Sequence, residues 1–185
     1  MFEPWVGKDY WSVGLKGVRL LVLGESHYGD VGQEHPQFTQ HVVQQWGQQK
    51  RLAFFTKIAK LSLGRTADKG ITNEERSEFF DRVAFYNFVQ QFVPAARHRP
   101  STEMWTQAIE PFHKVVDSVK PQVILILGQE LAAHVPAVSA DILICSIQHP
   151  SYSGFRHFAH SLGIFDWFFR VKGGHTAVCS VSGAA

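Results

Sequence analysis

Apolar residues fall into two patterns along this chain. Short unbroken runs occur at Val18–Leu23, Val83–Phe88, Gln122–Leu127 and Asp141–Ile147. Three of these lack polar alternation, as a strand does when both of its faces are buried, and they predict a parallel sheet covered by helices. Between the runs, apolar positions recur at helical spacing. Over Lys50–Leu63 they are Leu52, Phe55, Ile58, Ala59 and Leu63. Ser101–Val119 opens with a Ser-Thr-Glu cap and sets Trp105, Ile109, Phe112, Val116 and Val119 on one stripe, which Pro121 ends. Gln129–His134 follows Gly128 as a short helix, and Phe155–Val171 is an aromatic-rich final one. The stretch from Gly29 to Phe80 holds Gln-rich and helical pieces rather than a separate domain, and there is no internal repeat. The β-α-β-α alternation predicts an α/β fold, a three-layer α/β/α sandwich with a four-stranded parallel sheet of order 2-1-3-4.

Composition narrows this picture. A chain of 185 residues that is 45% hydrophobic suits one compact domain, expected over residues 1–172. The small, weakly patterned residues 173–185 read as a flexible tail. With 18% charged residues and no low-complexity tract, the chain does not read as disordered. A net charge of +2 does not by itself announce a nucleic-acid partner. Arg97, His98 and Arg99, with Arg156, His157, Arg170 and Lys172, form either a local basic face or ordinary solvated loop charge. Two cysteines, Cys145 and Cys179, exclude a disulfide scaffold and a four-cysteine cluster, and Cys145 reads as a core residue. Met1–Asp9 carries no apolar export segment, and no run approaches the roughly 20 residues needed to cross a bilayer. The expectation is a cytoplasmic monomer without membrane contact.

The chemistry concentrates where the strands end. In a parallel sheet the carboxyl ends of the strands border one crevice. The first strand delivers Gly24-Glu25-Ser26-His27-Tyr28-Gly29-Asp30 there. The second delivers Asn87, Gln90, Gln91 and a loop from Pro94 to Pro100, the third Gly128-Gln129-Glu130, and the fourth Gln148-His149-Pro150-Ser151. Carboxylate, amide, imidazole and tight glycine turns on one rim suit a small-ligand site. Ten histidines raise the alternative of a metal hydrolase, but no H-E-x-x-H spacing occurs. His98, His113, His134 and His157 are scattered, so neither a metal nor another cofactor is expected.

The strand-end Gly24-Glu25-Ser26-His27-Tyr28 and His149-Pro150-Ser151 resemble the two signature motifs of the uracil-DNA glycosylase superfamily. Phe85-Tyr86-Asn87-Phe88-Val89 with the loop ending Arg99-Pro100 is similar to the second-strand segment of its iron–sulfur branch. Lys120–Gly128 is similar to that branch's third strand. The resemblance spans most of the chain and implies a DNA glycosylase that leaves an abasic site. It departs from the pattern in three respects, the first being a strongly different loop after strand one, which leaves the identity of the base open. The cluster cysteines are missing, so no iron–sulfur centre is expected. Ser26 also stands where the best-known branch has Asp.

The resemblance implies roles that the residue types can perform. Asn87 would read the edge of a flipped base, since an amide both donates and accepts; otherwise it caps the strand end. His149 would hydrogen-bond the base carbonyl that gains negative charge. A carboxylate would orient water, with Asp30 ahead of Glu25; the other reading of Asp30 is an ordinary turn residue. Tyr28 would wall the pocket against bulky bases, and Phe38 would stack on the base or else belong to the core. Ser26 and His27 are further base-contacting candidates. Ser151, Tyr152 and Arg156 would wedge and hold the DNA, or Tyr152–Arg156 would simply begin a helix, while Arg97 and Arg99 would meet phosphates. No strand-end turn carries a lysine, so water rather than an amine is the expected nucleophile. Uracil or another modified base is the expected target. A hypermodified cytosine of phage DNA, in antiviral defence, is one alternative, and a noncatalytic nucleic-acid-binding protein is the other.

Overall fold

The computed structural model describes residues 1–30, 32–65, 69–95 and 98–151, together with the backbone of Cys179 and Ser180. The expected helix Phe155–Val171 lies outside the described residues, as do the candidates Arg97, Tyr152 and Arg156.

A mixed sheet of six strands forms the centre, in the order β1-β4-β2-β6-β7-β8. These are β1 (Trp5–Val6), β2 (Leu20–Gly24), β4 (Ala84–Asn87), β6 (Val123–Leu127), β7 (Leu143–Ile147) and β8 (Cys179–Ser180). β4, β2, β6 and β7 run parallel, with Leu21 opposite Ala84, Leu20 opposite Val123, and Val123 opposite Leu143. The expectation of a purely parallel four-stranded sheet is corrected at both edges. β1 adds antiparallel to β4, and β8 adds parallel to β7. Neither two-residue strand is long enough to show periodicity. β8 falls inside residues 173–185, where the sequence suggests a tail. A separate two-stranded ribbon pairs β3 (His27–Tyr28) with β5 (Phe92–Val93).

Alternation along the central strands builds two cores. Leu20 and Val22 of β2 join Phe85, Val123, Leu125 and Ile147 against α2 (Ala53–Ser62) and α3 (Asn73–Asp81). Leu21 and Leu23 join Tyr86, Ile124 and Ile126 against α4 (Thr102–Gln107), α5 (Ile109–Val119) and α6 (Gln129–His134). Helices therefore cover both faces of the sheet. The single helix expected over Ser101–Val119 is divided, because Pro111 has no N–H to give the carbonyl of Gln107 and α5 starts afresh at Ile109.

The long connection after β3 folds as α1 (Phe38–Val42) running into a π-helical turn, Val43–Gln49. Buried Arg76 of α3 closes that turn: Nε donates to the Gly47 carbonyl at 2.7 Å, and Nη2 to those of Gln48 and Lys50 at 3.0 Å each. These bonds satisfy carbonyls left open at the helix end and set the start of α2, which borders the site. Among the described residues, no helix is long and apolar enough to cross a membrane.

Candidate functional site

Two glycines end the middle strands of the sheet and leave the floor of its carboxyl edge bare. Gly24 closes β2 directly opposite Asn87 of β4. A Cβ on Gly24 would lie 2.1 Å from Asn87 Oδ1, so the amide leans over this glycine. Gly128 follows β6 with φ +132°, a conformation reserved for glycine, and its Cα faces the Cβ and Cδ2 of His149. Asn87 and His149 thus stand on either side of the two glycines. Their parent strands are three spacings apart, about 14 Å. Asn87 leans inward over Gly24, so the gap between the two side chains is narrower than the strand separation and is floored by the two glycines.

Both side chains have hydrogen-bonding capacity to spare. Asn87 is only 6% exposed, yet its amide has no hydrogen-bond partner among the described residues. Its backbone carbonyl is fixed by Gln90 Nε2 at 2.8 Å, and Gln90 Oε1 in turn accepts the N–H of Phe2 at 2.7 Å. The Ser151 N–H donates to His149 Nδ1 at 3.2 Å. Nδ1 is therefore an acceptor, and a neutral imidazole must carry its proton on Nε2. Burial pushes the His149 pKa down, and the Lys57 charge adds to the effect. The ring packs against Phe54 of α2 with centroids 5.5 Å apart.

Glu25 occupies the other flank of the same rim. Strand alternation turns it away from Asn87 and toward α6. Burial raises its pKa, Arg99 opposes this, Glu130 reinforces it, and His134 opposes it again. Arg99 Nη1 meets Glu130 Oε2 at 3.2 Å, while His134 stacks on Trp105 with centroids 4.1 Å apart. Arg99, expected to meet phosphate, is thus already paired on an exposed surface.

The remaining candidates are dispersed. Asp30 is exposed beyond β3, and its carboxylate has no hydrogen-bond or ion-pair partner among the described residues. Tyr28 is 56% exposed rather than set as a wall. His27 is buried and turned into a cluster with Phe2, Phe38 and Phe92, its ring edge-on to Phe2 at 5.1 Å and Phe38 at 4.9 Å. Its Nε2 lies 2.9 Å from Thr39 Oγ1, so that nitrogen is committed within the fold. Phe38 belongs to the same cluster, 4.7 Å from Phe92, and is half-buried there. Ser26 is half-buried, and Ser151 is exposed at the turn.

Sequence reasoning missed Phe54 and Lys57. Lys57 Nζ donates to the Pro150 carbonyl at 2.8 Å, so a lysine does reach a strand-end turn, from α2 rather than from the turns themselves. No local signal could have placed it there, because the partners are 93 positions apart. Among the described residues no three His, Cys, Asp or Glu side chains group as metal ligands. No protein-family model matches this chain, and no curated protein sequence is significantly similar to it.

Proposed function

We propose that the protein is a monofunctional DNA glycosylase, which hydrolyses the N-glycosidic bond of a base flipped out of DNA. The reading rests above all on Asn87 and His149 flanking the Gly24–Gly128 gap, each with a hydrogen-bonding group to offer. A base must leave its stack before its glycosidic bond can be reached, and it then needs a flat slot read from opposite sides. The order of the resembling motifs along the chain supports the same conclusion.

Bond cleavage then proceeds with water. As C1′–N breaks, the bonding pair leaves with the base, and its negative charge spreads to the carbonyl that faces His149. The neutral imidazole donates its Nε2–H there, an arrangement that strengthens as charge develops. The water oxygen bonds to C1′, and its proton passes through the carboxylate to solvent or to the departing base. For that carboxylate we favour Glu25 over Asp30. Glu25 is half-buried and follows Gly24 directly on the same rim, so rotation of its side chain from the α6 flank brings the carboxylate to the gap, whereas Asp30 is solvated on a turn beyond β3. Ser151, Tyr152, Arg156, Arg97 and Arg99 are proposed to hold the DNA, Arg99 by exchanging Glu130 for a phosphate. The exposed position of Tyr28 favours a target base with a substituent, such as a hypermodified cytosine, beside uracil. We place this activity in a cytoplasmic monomer that needs no cofactor.

The test is an oligonucleotide carrying one modified base, incubated with protein and then with alkali. Strand cleavage at the modified position, retained in a chelator, is the expected result. Binding without cleavage would favour a noncatalytic nucleic-acid-binding protein, and chelator-sensitive cleavage a metal hydrolase.

A further inference from the structure

We propose that Lys57 is a positioning residue of the His149 turn, fastening that turn to α2 so that the imidazole presents Nε2 to the gap above Gly128. This inference rests on the glycosylase reading for its kinetic part only.

The geometry is a three-point mount. Lys57 Nζ donates to the Pro150 carbonyl at 2.8 Å, one peptide beyond His149. One helical turn earlier, at i−3 on the same face, Phe54 supports the imidazole ring at 5.5 Å. The Ser151 N–H donates to Nδ1 at 3.2 Å. Pro150 has no N–H, so its carbonyl is the hydrogen-bonding group the turn offers to α2. A charge-assisted bond to that carbonyl is stronger and more directional than a neutral one.

The same ammonium acts on the ring's charge. Burial and the Lys57 charge, in that order, disfavour the imidazolium. From β6 the ring faces Gly128, which has no charge, and the nearest acidic group on α6, Glu130, is drawn to Arg99. From α2 it faces Phe54 and Lys57, and from its own turn the Ser151 N–H. Lys57 is thus the cation placed to keep the ring neutral, the state in which Nε2–H is a donor and Nδ1 an acceptor.

The experiment compares Lys57→Met, Lys57→Gln and Lys57→Arg by NMR titration of the His149 ring and by single-turnover base release from pH 5 to 8. In Lys57→Met the ring should titrate at higher pH than in the wild type. Base release should slow roughly tenfold at neutral pH, with its acid limb moved the same way. Lys57→Gln keeps a donor for Pro150 and should recover part of the rate but not the titration. Lys57→Arg should restore both. An unchanged His149 titration in Lys57→Met, or loss of rate in Lys57→Arg as severe as in Lys57→Met, would overturn the assignment. Because the titration is read without substrate, it decides the Lys57–His149 coupling even if the wild type releases no base. If Lys57→Met does not fold, the titration of Lys57→Gln carries the same decision.

Discussion

Acid should weaken this fold through His27 in a range where most carboxylates are still ionised. The His27 ring is 6% exposed, shares Nε2 with buried Thr39, and is enclosed by Phe2 and Phe38. Burial lowers its pKa from 6.5 to about 4. At 1.36 kcal/mol per pH unit, that separation disfavours the protonated folded state by about 3 kcal/mol. The unfolded chain takes up the proton first. The contribution is therefore complete above pH 6.5, shrinks by about 2 kcal/mol on reaching pH 5, and levels off below about pH 4. His149, also lowered, acts in the same direction, while Glu25, raised, acts against it. His27→Gln isolates the term, because glutamine can still bond Thr39 but does not titrate. Urea unfolding at pH 7.5 and pH 5 should show the wild-type midpoint falling about 1 M further than that of the variant, for a slope of about 2 kcal/mol/M. Equal falls in both proteins, or His27 ring protons titrating near 6.5, would refute the reasoning.

The remaining predictions concern the rim. Gly24→Ala sets a methyl 2.1 Å from the present position of Asn87 Oδ1 and 3.3 Å from the buried Phe85 ring, so it should rotate the amide away and lose base release as severely as Asn87→Ala, at some cost in unfolding stability. Full activity in Gly24→Ala would show that the amide is not read from this position. Glu25→Gln should slow single-turnover release on the order of a hundredfold, the cost of about 3 kcal/mol of transition-state stabilisation, whereas Asp30→Asn should stay within a few-fold of wild type. Because the Glu25 pKa is raised, the wild-type rate should rise with pH past the usual carboxylate range, and Glu25→Gln should lose that component and keep only the acid limb set by His149. The reverse ranking of the two variants would return the role to Asp30.

The fold was legible where a strand's burial leaves a compositional mark. The run Leu20–Leu23 is apolar at every position because alternate residues enter different cores, and Val123–Leu127 is apolar for the same reason. The two-residue strands β1 and β8 leave no such mark, because they extend edges already formed by longer strands. α3 had a readable signal, the capping box in which Thr72 accepts from Glu75 N–H and the Glu75 side chain returns to the Thr72 N–H. Its polar run Asn73–Ser77 carries no apolar stripe. In the site, strand ends predicted the shared rim of Asn87 and His149, since in-register parallel strands end together. The same logic failed for His27 and Asp30. The chain leaves the sheet after Gly24 to pair β3 with β5, and position along the sequence then no longer measures distance from the rim. Lys57 lay beyond reach, because its partner is chosen by packing of α2 on the sheet.

The central claim is tested most directly by mass spectrometry of free bases released from a panel of DNAs containing uracil, hypoxanthine or hypermodified cytosine. The account predicts release of one class of base by the wild-type protein under single-turnover conditions, with an abasic site left in the strand. It also predicts that His149→Ala will bind the same DNA while releasing that base about a hundredfold more slowly. It further predicts that borohydride will trap no protein–DNA adduct. Absence of any released base across the panel, or equal rates for wild type and His149→Ala, would contradict the account, and a trapped adduct would replace water with an amine such as Lys57.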